Sequence, residues 1–256
     1  MTGTGTTGDA DSTDARDLAG AVWPSLPAGS LVLLPLGSTE QHGPHLPLST
    51  DSVIAQVVAE RVAAALPPGA AGPPLVAPAL GYGSSGEHAG FPGTVSLGHQ
   101  ALHAVIVETT RSLALWAERV VFVNGHGGNV PSLRTAVGQM RAEGHDVAWV
   151  GCGVPGGDAH AGFTETSVML CLAPGQVRMD RAVAGDDRPL ASIMPELVAH
   201  GVRAVSPSGV LGDPCGATAE HGREIVRAMV SDAVRRIAAW RADPQGMLLD
   251  PDEPSR

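Results

Sequence analysis

The feature that most constrains this chain is an alternation of two patterns. Short, wholly apolar runs stop at a glycine or asparagine, and stretches with apolar residues at helical spacing follow them. Residues 31–36 (LVLLPL) run apolar up to Gly37, as a buried strand does. Residues 52–66 (SVIAQVVAERVAAAL) carry the helical period, with Ser49 or Asp51 as N-cap. Residues 75–80 predict a short strand weakened by Pro78. A long helix is expected over 99–118, and a second clear strand over 119–123 (RVVFV), stopped by Asn124-Gly125. Helix 130–143, strand 146–150 (DVAWV) and helices 164–172 and 217–240 complete the pattern. Such alternation predicts an α/β fold, a mostly parallel central sheet flanked by helices on both faces.

With 256 residues, no internal repeat and no long Pro/Ser linker, one domain is expected over 14–241. Residues 1–13 read as a disordered N-terminal tail and 242–256 as a flexible C-terminal one, because neither holds an apolar period. Aromatic residues are 3% of the chain, so the core must be aliphatic and alanine-rich.

The charge pattern excludes several functions. Net charge is −10, which argues against a nucleic-acid or anionic-membrane partner. All 16 basic residues are Arg, so Schiff-base chemistry and a P-loop lysine are ruled out. Cys152, Cys171 and Cys215 are widely spaced and form no CxxC, so neither a disulfide framework nor a zinc-thiolate site is expected. No apolar run approaches the roughly 20 residues that span a bilayer. The N-terminal stretch has no basic start and no apolar core, so a cytoplasmic location is expected.

Four polar clusters carry the chemistry. They are Glu40-Gln41-His42 with Asp51; Glu87-His88 with the run from Phe91 to Thr94; Asn124 to Asn129 (NGHGGN); and Asp158 to Gly162 with Glu165. The first and third directly follow predicted strands, and ligands bind outside the carboxyl ends of strands in open parallel sheets. Glu40, His42 and His126 should therefore face one crevice. Glu40 and His42, two apart in an extended segment, point the same way. With Asp51 they make an N/O donor set suited to Zn, Mn or Fe(II). Counting Glu165, there are more donors than one tetrahedral ion needs. Two ions bridged by a carboxylate, with Asp51 as the candidate bridge, use them better and imply hydrolysis of an amide or related bond. The glycines around His126 leave room for a substrate.

Each residue has a structural alternative. Glu40 and Asp51 can serve as helix caps, and a single histidine is more often structural than a ligand. His45 is the second choice for the place given to His42. His99, His103, His145, His200 and His221 read as structural. Ser84 or Ser85 in GYGSSG is a weak nucleophile candidate, since the loop is not a nucleophile elbow. Ser84, Glu87, His88, Thr94, Gly127 and Gly128 are expected to contact substrate. Tyr82, the only tyrosine, is either a cover for it or packing.

Taken together, GSTEQHGPHLPLSTD (37–51), FPGT (91–94), NGHGGN (124–129) and HAGFTETS (160–167) resemble the motifs of the creatininase, or creatinine amidohydrolase, family, in the same order. The resemblance implies an α/β fold with a dinuclear metal centre, a ring-like homo-oligomer, and hydrolysis of cyclic or linear amides. It places Glu40 and His126 on one metal, His42 on the other and Asp51 between them. The family's glutamate two residues after the NGH histidine is replaced here by Gly128, and Glu165 completes the second site instead. His160 matches a catalytic histidine and is the expected proton donor to the leaving nitrogen, with Glu165 beside it. The absent glutamate, and the absence of a tryptophan segment before His160, disfavour creatinine itself.

Within the family, GSSGEHAGFPGT (83–94) and DAHAGFTETSVML (158–170) are most similar to a branch acting on a small ribosomal precursor peptide. That branch releases a decarboxylated, cross-linked C-terminal Val-Tyr pair. The alternatives are hydrolysis of another small, creatinine-like amide; deformylation of a formylamino-pyrimidine nucleotide, disfavoured by the few cations near the motifs; and a non-catalytic small-molecule binding protein.

Overall fold

The computed structural model describes residues 16–252. Its centre is a four-stranded sheet of β1 (Ser30–Leu36), β2 (Leu75–Val76), β3 (Ala117–Asn124) and β4 (Val147–Gly151). The order is β2-β1-β3-β4 and every pairing is parallel. Seven helices accompany it: α1 (Thr50–Ala65), α2 (Gly98–Leu113), α3 (Val130–Ala142), α4 (Phe163–Leu172), α5 (Leu190–His200), the single turn α6 (Val202–Val205) and α7 (Ala219–Ala239).

Successive strand residues point to opposite faces, and both faces are covered. Leu33, Val121, Val123, Ala148 and Val150 pack under α1, α4 and α7, while Val32, Leu34, Leu36, Val120, Phe122 and Trp149 pack under α2 and α3. Both sides buried is why these strands read as continuous apolar runs. The chain leaves β1 towards β2 and leaves β3 towards β4, so the order reverses between β1 and β3. Leu36 is paired with Asn124, which sets the ends of those two strands side by side. This is where a ligand crevice opens in such a sheet.

Three expectations are corrected. Helix α2 stops at Leu113 and not 118, because residues from Ala117 pair with β1; the apolar run through Trp116 hides the break. The strand expected over 75–80 is only Leu75–Val76. Of the expected C-terminal tail, residues up to 252 are described, and the stretch around Leu248 is anchored to the fold. Trp149 N donates to Gly246 O, Leu248 N donates to Trp149 O, and Leu248 is wholly buried in the core under α7. The expected tail 1–13 lies outside the described residues. Helix α5, with Pro195 inside it, was not legible as a helix; together with α6 it forms a small third core around Ile193, Leu197, Val202 and Leu211.

Candidate metal centre

The loop after β1 folds back on itself, with Glu40 N bonded to Leu48 O and Leu46 N to His42 O. This turns Glu40 and His42 inward, and neither side chain is exposed. Asp51 lies in the first turn of α1, where the helix dipole favours a carboxylate. His126 follows β3. Asn129 ties the two loops together, donating from Nδ2 to Gly37 O at 3.0 Å and to Asn124 Oδ1 at 3.1 Å. A Cβ on Gly125 would stand 2.5 Å from Asp51 O, so the close approach of the β3 loop to α1 requires glycine there.

His160 and Glu165 arrive from the other side. Asp158 caps the start of α4, accepting from the backbone N–H groups of Phe163 and Thr164. Ala161 adopts a left-handed conformation (φ 53°) between them, and its N–H donates to Glu165 Oε2 at 2.6 Å.

Two groups of donor atoms result, each lying within 4.8 Å of one another: Glu40, Asp51 and His126, and His42, Asp51 and Glu165. Asp51 belongs to both. Its Oδ1 is 3.0 Å from His42 Nε2 and its Oδ2 is 3.4 Å from His126 Nδ1. A third group, Glu40, His42 and His160, overlaps them. Both carboxylate oxygens of Glu40 are buried without a hydrogen-bond partner. An orphaned buried carboxylate is costly unless a cation compensates it. The donor set of imidazole nitrogens and carboxylate oxygens therefore fits divalent metal ions.

Electrostatics agree with that fit. Burial, with Asp51 close by, pushes the Glu40 carboxyl up to about 7. Burial likewise raises Glu165 to about 7. Burial works against a charge on His42 and His126, yet Asp51 carries His42 up to about 10 and Glu40 carries His126 up to about 9. Two imidazolium protons thus supply part of the positive charge that two divalent cations would bring. Each imidazole also has a backbone acceptor: His42 Nδ1 is 3.1 Å from Glu40 O, and His126 Nε2 is 3.0 Å from Ser84 O. Donation there leaves His42 Nε2 and His126 Nδ1 turned to Asp51, the arrangement that metal-binding histidines commonly have.

The other expected site residues divide. Glu87, with a side chain 34% exposed, stands with Oε1 3.5 Å from His126 Nε2. Gly127 is exposed beside it, and a Cβ on Gly128 would stand 2.4 Å from Glu87 Oε1. Ser84, His88 and Thr94 turn inward instead. Ser84 Oγ meets His99 Nδ1 at 3.1 Å, His88 Nε2 lies 3.3 Å from Glu40 Oε1, and Thr94 Oγ1 accepts from Gln41 N. His45 turns away to Thr166 Oγ1 and belongs to none of the three groups. Tyr82 is exposed.

Two participants had no role assigned from the sequence. Ser38 Oγ donates to Asp51 Oδ2 at 2.8 Å, and Gln41 lies buried between His88 and His160. Their signal was adjacency to Glu40 in GSTEQH, but an amide or hydroxyl shows its partners only once the fold brings them together.

The family profile described as "Creatininase: Creatinine amidohydrolase" matches residues 21–237. The mycofactocin precursor peptide peptidase of Mycobacterium ulcerans is 54% identical over 235 residues, 89% of this chain and 90% of that protein. The creatinine amidohydrolase of Pseudomonas putida is 34% identical over 243 residues, 81% of this chain and 90% of that protein. Among solved structures, "Creatininase Mn" superposes with a TM-score of 0.71 at 29% identity, covering 86% of this chain and 97% of that one.

Proposed function

The chain belongs to the creatininase family, a family of amidohydrolases, and from that premise we propose that it is a dinuclear metal-dependent peptidase that cleaves the modified C-terminal Val-Tyr dipeptide from the mycofactocin precursor peptide. The 54% identity to the Mycobacterium ulcerans peptidase, across nine-tenths of both chains, supports the substrate. The observation that carries the chemistry is Asp51, whose two oxygens face His42 and His126 separately.

In this reading Glu40, Asp51 and His126 would hold one divalent ion, and His42, Asp51 and Glu165 would hold the other. Zn, Mn and Fe(II) all suit these donors. Bound there, a pair of such ions would bring water to a near-neutral pKa and polarise the scissile carbonyl. The chain's own residues do the rest. Ser38 holds one oxygen of Asp51, and His88 faces one oxygen of Glu40. His160 is kept neutral, because burial and the neighbouring His42 and His88 imidazoles pull its pKa well below the usual histidine range. It begins as a base, accepts a proton and returns it to the departing amine. Glu87, Gly127 and Gly128 form the mouth through which the peptide's C-terminus enters.

The decisive experiment incubates the metal-loaded protein with the decarboxylated, cross-linked precursor peptide and follows release of the dipeptide by mass spectrometry. Release that stops on chelation and returns with metal is the expected result. Intact peptide, from protein carrying two ions per chain, overturns the substrate assignment.

We further propose a cytoplasmic homo-oligomer that engages neither nucleic acid nor membrane. Among the described residues no helix is long and apolar enough to cross a bilayer.

A further inference from the structure

The site contains one side chain whose hydrogen bonds form a closed account. Gln41 is buried, and its Oε1 accepts from Gly43 N at 2.8 Å, which fixes which end of the amide is oxygen. The amide nitrogen has two protons and three neighbours: Gly209 O at 3.1 Å, His88 Nδ1 at 2.8 Å and His160 Nε2 at 3.0 Å. Gly209 O can only accept, so it takes one proton. His160 Nε2 also lies 2.8 Å from the main-chain oxygen of Gln41 itself, another obligate acceptor. His160 Nε2 therefore carries hydrogen and cannot accept from the amide. The second amide proton goes to His88 Nδ1.

Both tautomers follow. His88 accepts at Nδ1, so its hydrogen is on Nε2, 3.3 Å from Glu40 Oε1. His160 donates at Nε2, so its lone pair is on Nδ1, 3.7 Å from the same oxygen. One glutamine thereby gives two mutually tilted imidazoles, with ring centroids 4.4 Å apart, opposite roles towards one carboxylate. We infer that Gln41 is a positioning residue that fixes His88 with its Nε2–H turned towards Glu40 and His160 with its lone pair on Nδ1. The inference rests on the proposed function for the roles of Glu40 and His160, and on geometry alone for the tautomers.

Gly209 is built around this amide. A Cβ there would stand 1.9 Å from Gln41 Oε1, and its φ of 83° already favours glycine. The amide is thus held from both sides, by Gly43 N–H and by the Gly209 backbone.

The test is the ¹⁵N spectrum of the zinc-loaded, histidine-labelled protein, with His88 and His160 assigned by single substitution. Both rings are expected as the Nε2–H tautomer. Gln41→Glu keeps the shape and the acceptor for Gly43 but puts an oxygen against His88 Nδ1, so His88 should move its hydrogen to Nδ1. With Glu40 facing a lone pair instead of a donor, kcat on the precursor peptide should fall roughly 10–100-fold, the range for outer-sphere partners of metal sites, while KM holds. A purely structural glutamine would not change a tautomer. Wild-type His88 carrying hydrogen on Nδ1 overturns the inference, as does an unchanged His88 in the folded Gln41→Glu protein. The wild-type spectrum needs neither substrate nor variant. A peptide left uncut beside the expected tautomers would remove the substrate assignment and leave this one standing.

Discussion

Asp51 Oδ1 lies 3.0 Å from His42 Nε2, with both side chains buried. In the metal-free chain this pair is an ion pair, and its proton stands where a cation would. That makes metal uptake a proton-releasing reaction. His42 is raised to about 10 and His126 to about 9, so both imidazoles must give up a proton before binding. Metal affinity is expected to rise with pH across the neutral range and to level off near pH 10. Calorimetry in buffers of different ionisation enthalpy measures the protons released. Uptake with none released would contradict the ion-paired apo site.

The same shifts fix how the metal-free protein responds to pH. The folded chain holds protons more tightly than the unfolded chain at His42 and His126, raised from 6.5, and at Glu40 and Glu165, raised from 4.5 to about 7. For the histidines, stability is fully present below about pH 6.5 and lost as pH climbs through 9 and 10. For the two carboxyls, ionising a buried acid costs stability between about pH 4.5 and 7. Below about pH 6.5 His88 and His160, held under the usual histidine range mainly by burial, act in the opposite sense, so the fall in melting temperature of the chelated protein is expected as pH rises from about 7 to 10. Thermal melts at several pH values check this.

Metal should stabilise the folded chain strongly. At a free concentration about 1,000 times Kd, binding only to the folded state adds ~4 kcal/mol. A chain of this size gains about 2–4 °C per kcal/mol, so Tm should rise by roughly 8–16 °C. Differential scanning calorimetry with and without chelator reads it directly. Equal melting temperatures would mean that the polar cluster holds no ion.

Asp51→Asn should damage both ion sites at once, because the two carboxylate oxygens serve different histidines. Elemental analysis is expected to find both ions depleted, and activity should fall by more than the ~100-fold that loss of an outer partner costs. Glu165→Gln, by contrast, belongs to one group only and should deplete one ion. If Asp51→Asn kept one ion at full occupancy, the bridging role would be wrong.

Much of this was legible in the chain before any fold was known, and the reason is local. Glu40, His42 and His126 directly follow apolar runs, so the strand signal and the site signal lie together. His160 and Glu165 stood out as a polar cluster, with Glu165 counted as a donor, but their individual roles became readable only through family motifs, since nothing local ties them to β1. Gln41 was unreadable, because its partners stand 47, 119 and 168 residues away and any of them could have been a solvent molecule instead. The packed C-terminal segment was missed for a related reason. One buried leucine between prolines and aspartates has no period to detect, and its worth depends on the hollow that receives it.

That segment supplies the last prediction. Leu248 is 1% exposed and sits in the core beneath α7, while the chain around it pairs with Trp149 and accepts from Trp149 Nε1 and Arg236. Leu248→Ala should cost about 2–5 kcal/mol, the usual range for emptying a buried leucine site. The metal ligands lie on the loops after β1 and β3 and at the starts of α1 and α4, so the metal content of the folded variant should not change. Urea denaturation gives the first quantity and elemental analysis the second. A cost under about 0.5 kcal/mol, the size of an ordinary surface substitution, would return these residues to the status of a tail.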